Sequence, residues 1–221
     1  MSLSPVPAAR APRRRLTLVA LLTGVLGVVV LALSMNSSLA AFTASITNSV
    51  NTAAAGTVIM EEKNAAGTTT CLSTDGSGNN VTNNAATCAT INKYGGSTTM
   101  VPGQTVSTTV TIKNVGTAPA ASFTLAPGTC TQSGAVTGSA TDLCAKLGVV
   151  ITQTVGATTT TISPASSTLT TLAAGGALTL TSPVAAGASA TFTFAVTLAS
   201  AAGNTYQGLA ASQPLVWTFT S

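Results

Sequence analysis

Residues 190–198 alternate strictly: Phe192, Phe194, Val196 and Leu198 share one parity, while Thr191, Thr193 and Thr197 share the other. That period of two suits a strand with one face buried and one face wet, and no helix can satisfy it. The same pattern runs through 105–113, where Val106, Thr108, Val110 and Ile112 oppose Ser107, Thr109 and Thr111. It returns at 215–220, with Trp217 and Phe219 on one face. Further strands are expected at 57–60, 122–125, 148–155, 158–162, 169–172 and 178–181. Pro102-Gly103 and Asn114-Val115-Gly116 supply turns between them. No helical period of useful length follows residue 41, and no repeat of solenoid length appears. Many short strands joined by Gly, Pro and Asn turns predict an all-β, jelly-roll-like β-sandwich over 41–221, a single domain after an N-terminal signal peptide.

The first forty residues have a different grammar. Arg10, Arg13, Arg14 and Arg15 precede an unbroken apolar run over 16–33, and small residues follow. A basic segment, an apolar segment and a small-residue cut site make a secretory signal peptide, placed here at 1–40. Ser38 and Ala40 supply the small side chains that signal peptidase requires, so cleavage is expected after Ala40, with Ala41 as the alternative cut. The apolar run is also long enough to span a bilayer, so retention as an anchor is the competing expectation. Twin-arginine export is disfavoured because only the Arg14-Arg15 pair of that motif is present.

Charge sharpens this division. The chain has eight basic and four acidic residues, and all four arginines fall before residue 16. What remains is Lys63, Lys93, Lys113 and Lys146 against Glu61, Glu62, Asp75 and Asp142, which balance to zero. The basic pI therefore belongs to the signal, and a nucleic-acid partner is not expected. Charged residues make up 5% of the chain against roughly 25% in ordinary domains. A surface so weakly charged has little repulsion to keep copies apart.

A polar excursion over 64–98 holds Cys71 and Cys88; Cys130 and Cys144 form a second local pair. Four cysteines allow three connectivities, and proximity in an oxidising exterior favours 71–88 with 130–144. Each loop closed this way stabilises the fold by about 3 kcal/mol. A zinc site is disfavoured, since CxxC spacing is missing and the chain has no histidine. The lack of histidine also removes Ser-His-Asp, Cys-His and HExxH chemistry. Glu61 and Glu62 are adjacent, so on a strand they face opposite sides and cannot work as an acid–base pair; a solvated strand end is the expected setting. Asp75, beside Gly76-Ser77-Gly78, is a poor calcium site with one carboxylate, and no phosphate-loop lysine follows. No enzymatic activity and no cofactor are expected.

Several short motifs occur in order. After the signal come Ala41-Phe42-Thr43-Ala44-Ser45 and then Asn51-Thr52-Ala53-Ala54-Ala55-Gly56-Thr57-Val58. The centre has Val101-Pro102-Gly103-Gln104 followed by 110–117, VTIKNVGT, and the last strand is preceded by Gly203-Asn204-Thr205-Tyr206-Gln207-Gly208. This ordered set resembles TasA/camelysin-type proteins. The resemblance implies a jelly-roll subunit of extracellular or biofilm-matrix fibres, released by a signal peptidase and joined to copies of itself by donor-strand complementation. In that scheme an N-terminal strand, 41–50, fills a groove in the neighbour with Phe42, Ala44, Ile46 and Val50; pairing within its own subunit is the alternative. The protease activity described for camelysin is not carried over, because histidine is lacking. A secreted, extracellular or cell-surface location with no stable membrane association after cleavage is expected. The competing function is a monomeric, membrane-tethered surface adhesin or binding module that recognises its target through 64–98. A type IV pilin is excluded because there the apolar helix follows the processing site.

Overall fold

A computed structural model describes residues 13–35, 46, 52–75, 84–181 and 184–221, with the side chains of the first helix described over 19–30. The chain divides into two units, Met1–Ala53 and Ala54–Ser221. In the first, α1 (Arg13–Met35) is a 23-residue helix, and its side chains over 19–30 are exposed. Among the described residues no helix is long and apolar enough to cross a membrane. Of the segment 41–50, only Ile46 lies within the described residues. It is fully exposed and belongs to no strand. Ala40, Ala41, Phe42, Ala44 and Val50 lie outside them.

The second unit is organised by one open antiparallel sheet. It contains β1 (Met60–Asn64), β2 (Thr70–Leu72), β3 (Thr105–Asn114), β6 (Leu147–Val155), β7 (Thr158–Thr161) and β9 (Ser189–Leu198) in the order β2-β1-β3-β9-β6-β7. At its centre β3 pairs with β9 from Thr105↔Thr197 to Lys113↔Ser189, and β9 pairs with β6 from Leu147↔Leu198 to Thr154↔Thr191. This register puts Val110, Ile112, Phe192, Phe194, Val149 and Ile151 on the inner face, all buried. The outer face is hydroxyl-rich, with Thr105 bonded to Thr197 at 2.7 Å and Thr109 to Thr193 at 3.1 Å. Alternation and pairing thus agree, which is what fixes register in a sheet with one buried face.

Smaller elements cover the inner face. β4 (Ser122–Pro127), β8 (Leu178–Leu180) and β11 (Leu215–Thr220) form a three-stranded sheet in the order β11-β4-β8, while β5 (Thr131–Ser133) pairs with β10 (Ala210–Ser212). Phe123 and Leu125 of β4 pack against the main sheet. The Phe123 ring lies 5.9 Å from Phe192 and stacks on Trp217 at 5.6 Å. Two short helices, α2 (Leu143–Lys146) and α3 (Leu169–Ala174), insert Leu143, Leu169 and Leu172 into the same core.

The expected all-β jelly roll is therefore corrected. Among the described residues the architecture is mixed, with three α-helices and an open sheet rather than a pure β-sandwich. A jelly roll distributes its strands over two comparable sheets. Here a six-stranded sheet faces a three-stranded and a two-stranded patch, and helices fill part of the difference. The fold that the TasA/camelysin resemblance implied falls with it. The stretch 169–172, expected as a strand, is the body of α3. Leu169 and Leu172 are three apart and both buried, a helical spacing. Thr168 and Thr171 close a reciprocal capping box at the start of this helix.

Two turns explain their glycines. Gly103 has φ +83 in the Val101–Gln104 turn, where Gln104 N–H donates to Val101 O at 2.9 Å. At Gly116 an added Cβ would sit 2.1 Å from Thr57 O. That close approach lets Val115 N–H donate to Ile59 O and Ala118 N–H to Thr57 O, both at 2.9 Å.

Candidate functional site

The main feature of the second unit is a groove of about 1120 Å³ between the strap 84–100 and the chain from Tyr206 to β11. Its floor takes Leu143, Leu147, Leu169, Val196 and Leu198 from α2, α3 and the main sheet. One wall is built by Met60 and Glu62 of β1, Cys71 and Leu72 of β2, and the strap residues Ile91, Tyr94 and Met100. The other contains Leu209, Leu215, Trp217 and Phe219. The last three point inward from β11 and are only half-buried, although they match the buried pattern of a core strand.

The strap has no regular structure over 84–100 and is fastened side chain by side chain. A disulfide joins Cys88 to Cys71 of β2, with Cα atoms 5.8 Å apart. Lys93 Nζ lies 2.7 Å from Glu62 Oε1, with both side chains buried. Tyr94 Oη donates to Gln213 Oε1 at 2.6 Å, and Gln213 Nε2 donates onward to Gly128 O at 2.7 Å and Leu169 O at 2.9 Å. The Tyr94 ring meets Phe194 edge-on at 6.4 Å. Burial pushes the Tyr94 hydroxyl well above the ordinary tyrosine value, because the phenolate would be desolvated. Asn84 adds hydrogen bonds to Val58 O and to Ser73 Oγ.

These ties place several sequence candidates. Glu61 and Glu62 do face opposite sides of β1: Glu61 pairs with Lys63 at 3.0 Å near solvent, whereas Glu62 is 6% exposed. The solvated setting expected for Glu62 is thus replaced by a buried ion pair. Breaking such a pair from one side strands a charge in the protein and is strongly destabilising. Asp75 Oδ2 accepts from Leu72 N–H at 2.6 Å, closing the turn after β2. Sequence reasoning did not single out Lys93, Tyr94 or Gln213. Their partners are distant in the chain, so no local spacing announces them.

The second disulfide, Cys130–Cys144, with Cα atoms 6.1 Å apart, anchors α2 behind β5. Beside it Tyr206 Oη donates to Asp142 Oδ1 at 2.6 Å, and Lys146 Nζ lies 3.5 Å from Asp142 Oδ2. The Tyr206 hydrogen bond, then the Lys146 charge, holds the Asp142 carboxyl below its usual range, and Asp142 raises the tyrosine in return. This exposed cluster ties the chain ahead of β10 to α2. Among the described residues no group of three or more Cys, Asp and Glu is placed to hold a metal ion.

Chemically, the groove offers burial and backbone pairing. Within the described residues β11 is hydrogen-bonded on one side only, to β4. Its other edge leaves peptide N–H and C=O groups available to a further strand. No family model matches the chain, and no curated protein matches it.

Proposed function

We propose that this chain is an exported structural subunit that joins copies of itself outside the cell by strand addition. The observation that carries this reading is the single-sided β11 beside an open groove with an apolar floor. An extended segment laid along β11 satisfies its edge groups, while alternate side chains enter the groove and cover Leu215, Trp217 and Phe219. The donor is the segment 41–50 of a neighbouring copy, contributing Phe42, Ala44, Ile46 and Val50. Processing after Ala40 or Ala41 by signal peptidase releases the start of that segment and removes the four arginines. The two disulfides and the neutral balance of charge suit a secreted or cell-surface location. The proposal stands on the groove and the edge strand, and owes nothing to a jelly-roll fold.

Negative-stain imaging of the secreted chain tests the reading. Wild-type protein is expected to form linear assemblies at high concentration, and Phe42→Asp/Ile46→Asp protein to remain monomeric. Assemblies of equal abundance from both would sink the donor role of 41–50, and a monomeric wild type would sink self-assembly altogether.

A further inference from the structure

The groove has one polar loose end. Among the described residues two buried side-chain polar atoms lack a hydrogen bond, Glu62 Oε1 and Trp217 Nε1. Glu62 Oε1 has Lys93 Nζ at 2.7 Å as its ion-pair partner. Trp217 Nε1–H therefore remains as a donor without an acceptor. Native proteins rarely leave a buried indole N–H unpaired, because water has been removed from it and nothing has replaced that water.

The surroundings explain why no acceptor is at hand. The Trp217 ring is held by Phe123 at 5.6 Å, Phe192 at 4.7 Å and Phe194 at 6.2 Å, and none of these rings offers an oxygen. Two of the polar side chains nearest the floor are already committed: the Tyr94 hydroxyl to Gln213, and both donor bonds of Gln213 Nε2 to backbone carbonyls. Among the described residues the only charged side chains lining the groove, Glu62 and Lys93, neutralise each other. The groove thus combines apolar with hydroxyl and amide surface, an unpaired strand edge and one buried indole donor, with no side-chain charge left among the described residues to compensate an ionic guest.

We infer that Trp217 Nε1–H is the specificity contact of this groove, and that it selects an uncharged, extended polypeptide by donating to one of its backbone carbonyl or hydroxyl oxygens. This rests on the strand-addition reading and names the chemistry of its partner. The segment 41–50, AFTASITNSV, meets both requirements: it has no charged residue, and Thr43, Ser45 and Thr47 alternate with its apolar side chains. Ile46 is fully exposed in its own chain. An acyl chain fills apolar volume too, but it has no repeating acceptors and leaves the β11 edge unpaired.

Trp217 is the chain's only tryptophan, so one indole signal reports the groove. The test uses full-length secreted protein carrying Ile46→Asp, which disables its own donor, and a free peptide of sequence 41–50. Binding is followed by calorimetry and by the indole N–H resonance of ¹⁵N-labelled protein. The peptide is expected to bind and to move the indole proton downfield, as a new hydrogen bond does. Trp217→Phe, which keeps the ring and removes the N–H, is expected to weaken binding about tenfold, the worth of one hydrogen bond. A peptide with Lys in place of Ile46 is expected not to bind. Peptide binding with an unmoved indole resonance overturns the inference while leaving strand addition intact, and the resonance decides this even where Trp217→Phe folds poorly. Equal affinity of the lysine peptide overturns the selection for an uncharged guest. Failure of the wild-type peptide to bind overturns strand addition itself, as does a response to a long-chain fatty acid in its place.

Discussion

The centre of the main sheet and the strap 84–100 lie in one unit but are held by opposite means. In β3, β9 and β6 every residue does two jobs: its backbone joins a ladder and its side chain goes to a defined face. The strap has no ladder, and depends on separate side-chain ties: one disulfide, one buried ion pair, the Tyr94 hydrogen bond and ring contact, and the Asn84 hydrogen bonds. A region held by many small shared contacts resists any single change. A region held by a few discrete ties can be loosened one tie at a time, and local opening follows such a division. The groove lies where the two regimes meet, with a rigid floor and a wall whose position depends on the ties.

Mutations that separate floor from wall test this contrast. Phe194→Ala, in the floor's support, is expected to cost about 3–5 kcal/mol and to lower global stability in denaturant unfolding. A much smaller loss would mean that the inner face is less tightly packed than the buried Phe192–Phe194 pair implies. Removing the 71–88 disulfide with Cys71→Ser/Cys88→Ser is expected to cost about 3 kcal/mol. Its signature is local: amide exchange over 84–100 should rise far more than exchange in β9. Uniform acceleration across both regions would erase the distinction drawn between them.

The smallest effect belongs to Tyr94→Phe, expected at about 1 kcal/mol for one hydrogen bond. It also has a pH signature whose sign is fixed by the raised folded-state value. A tyrosine whose ionisation is disfavoured by burial contributes full stability below its unfolded value of about 10, and that contribution is lost as pH rises above it. Thermal unfolding from pH 8 to 11 should therefore show an alkaline loss of stability in the wild type that Tyr94→Phe reduces. Tyr206 is also raised and stays in place in both proteins, so the difference between the two curves isolates Tyr94.

What the sequence disclosed follows the same line. The segments 105–113, 190–198 and 215–220 were legible because burial on one face forces a period of two, and β3, β9 and β11 form there. The helix α3 was not legible as a helix. Six residues make under two turns, and Leu-Thr-Thr-Leu fits the start of a strand as well as an i, i+3 pair. β5 and β10 have three residues each and leave no periodic trace. The candidate site was half visible. Trp217 and Phe219 were placed on one face of the last strand, but the strap that completes the groove read as a polar excursion. It is rich in Asn, Ala, Thr and Gly; it becomes a wall through residues such as Ile91, Lys93 and Tyr94, whose partners are brought by the fold.

The most direct test of the central claim is amide hydrogen exchange along β11 in assembled wild-type protein, compared with monomeric Phe42→Asp/Ile46→Asp protein. Strand addition predicts that exchange over Leu215–Thr220 slows on assembly, while β7, at the far edge of the main sheet, is unchanged. Assembly that protects β7 and leaves β11 exchanging at the monomer's rate would contradict it.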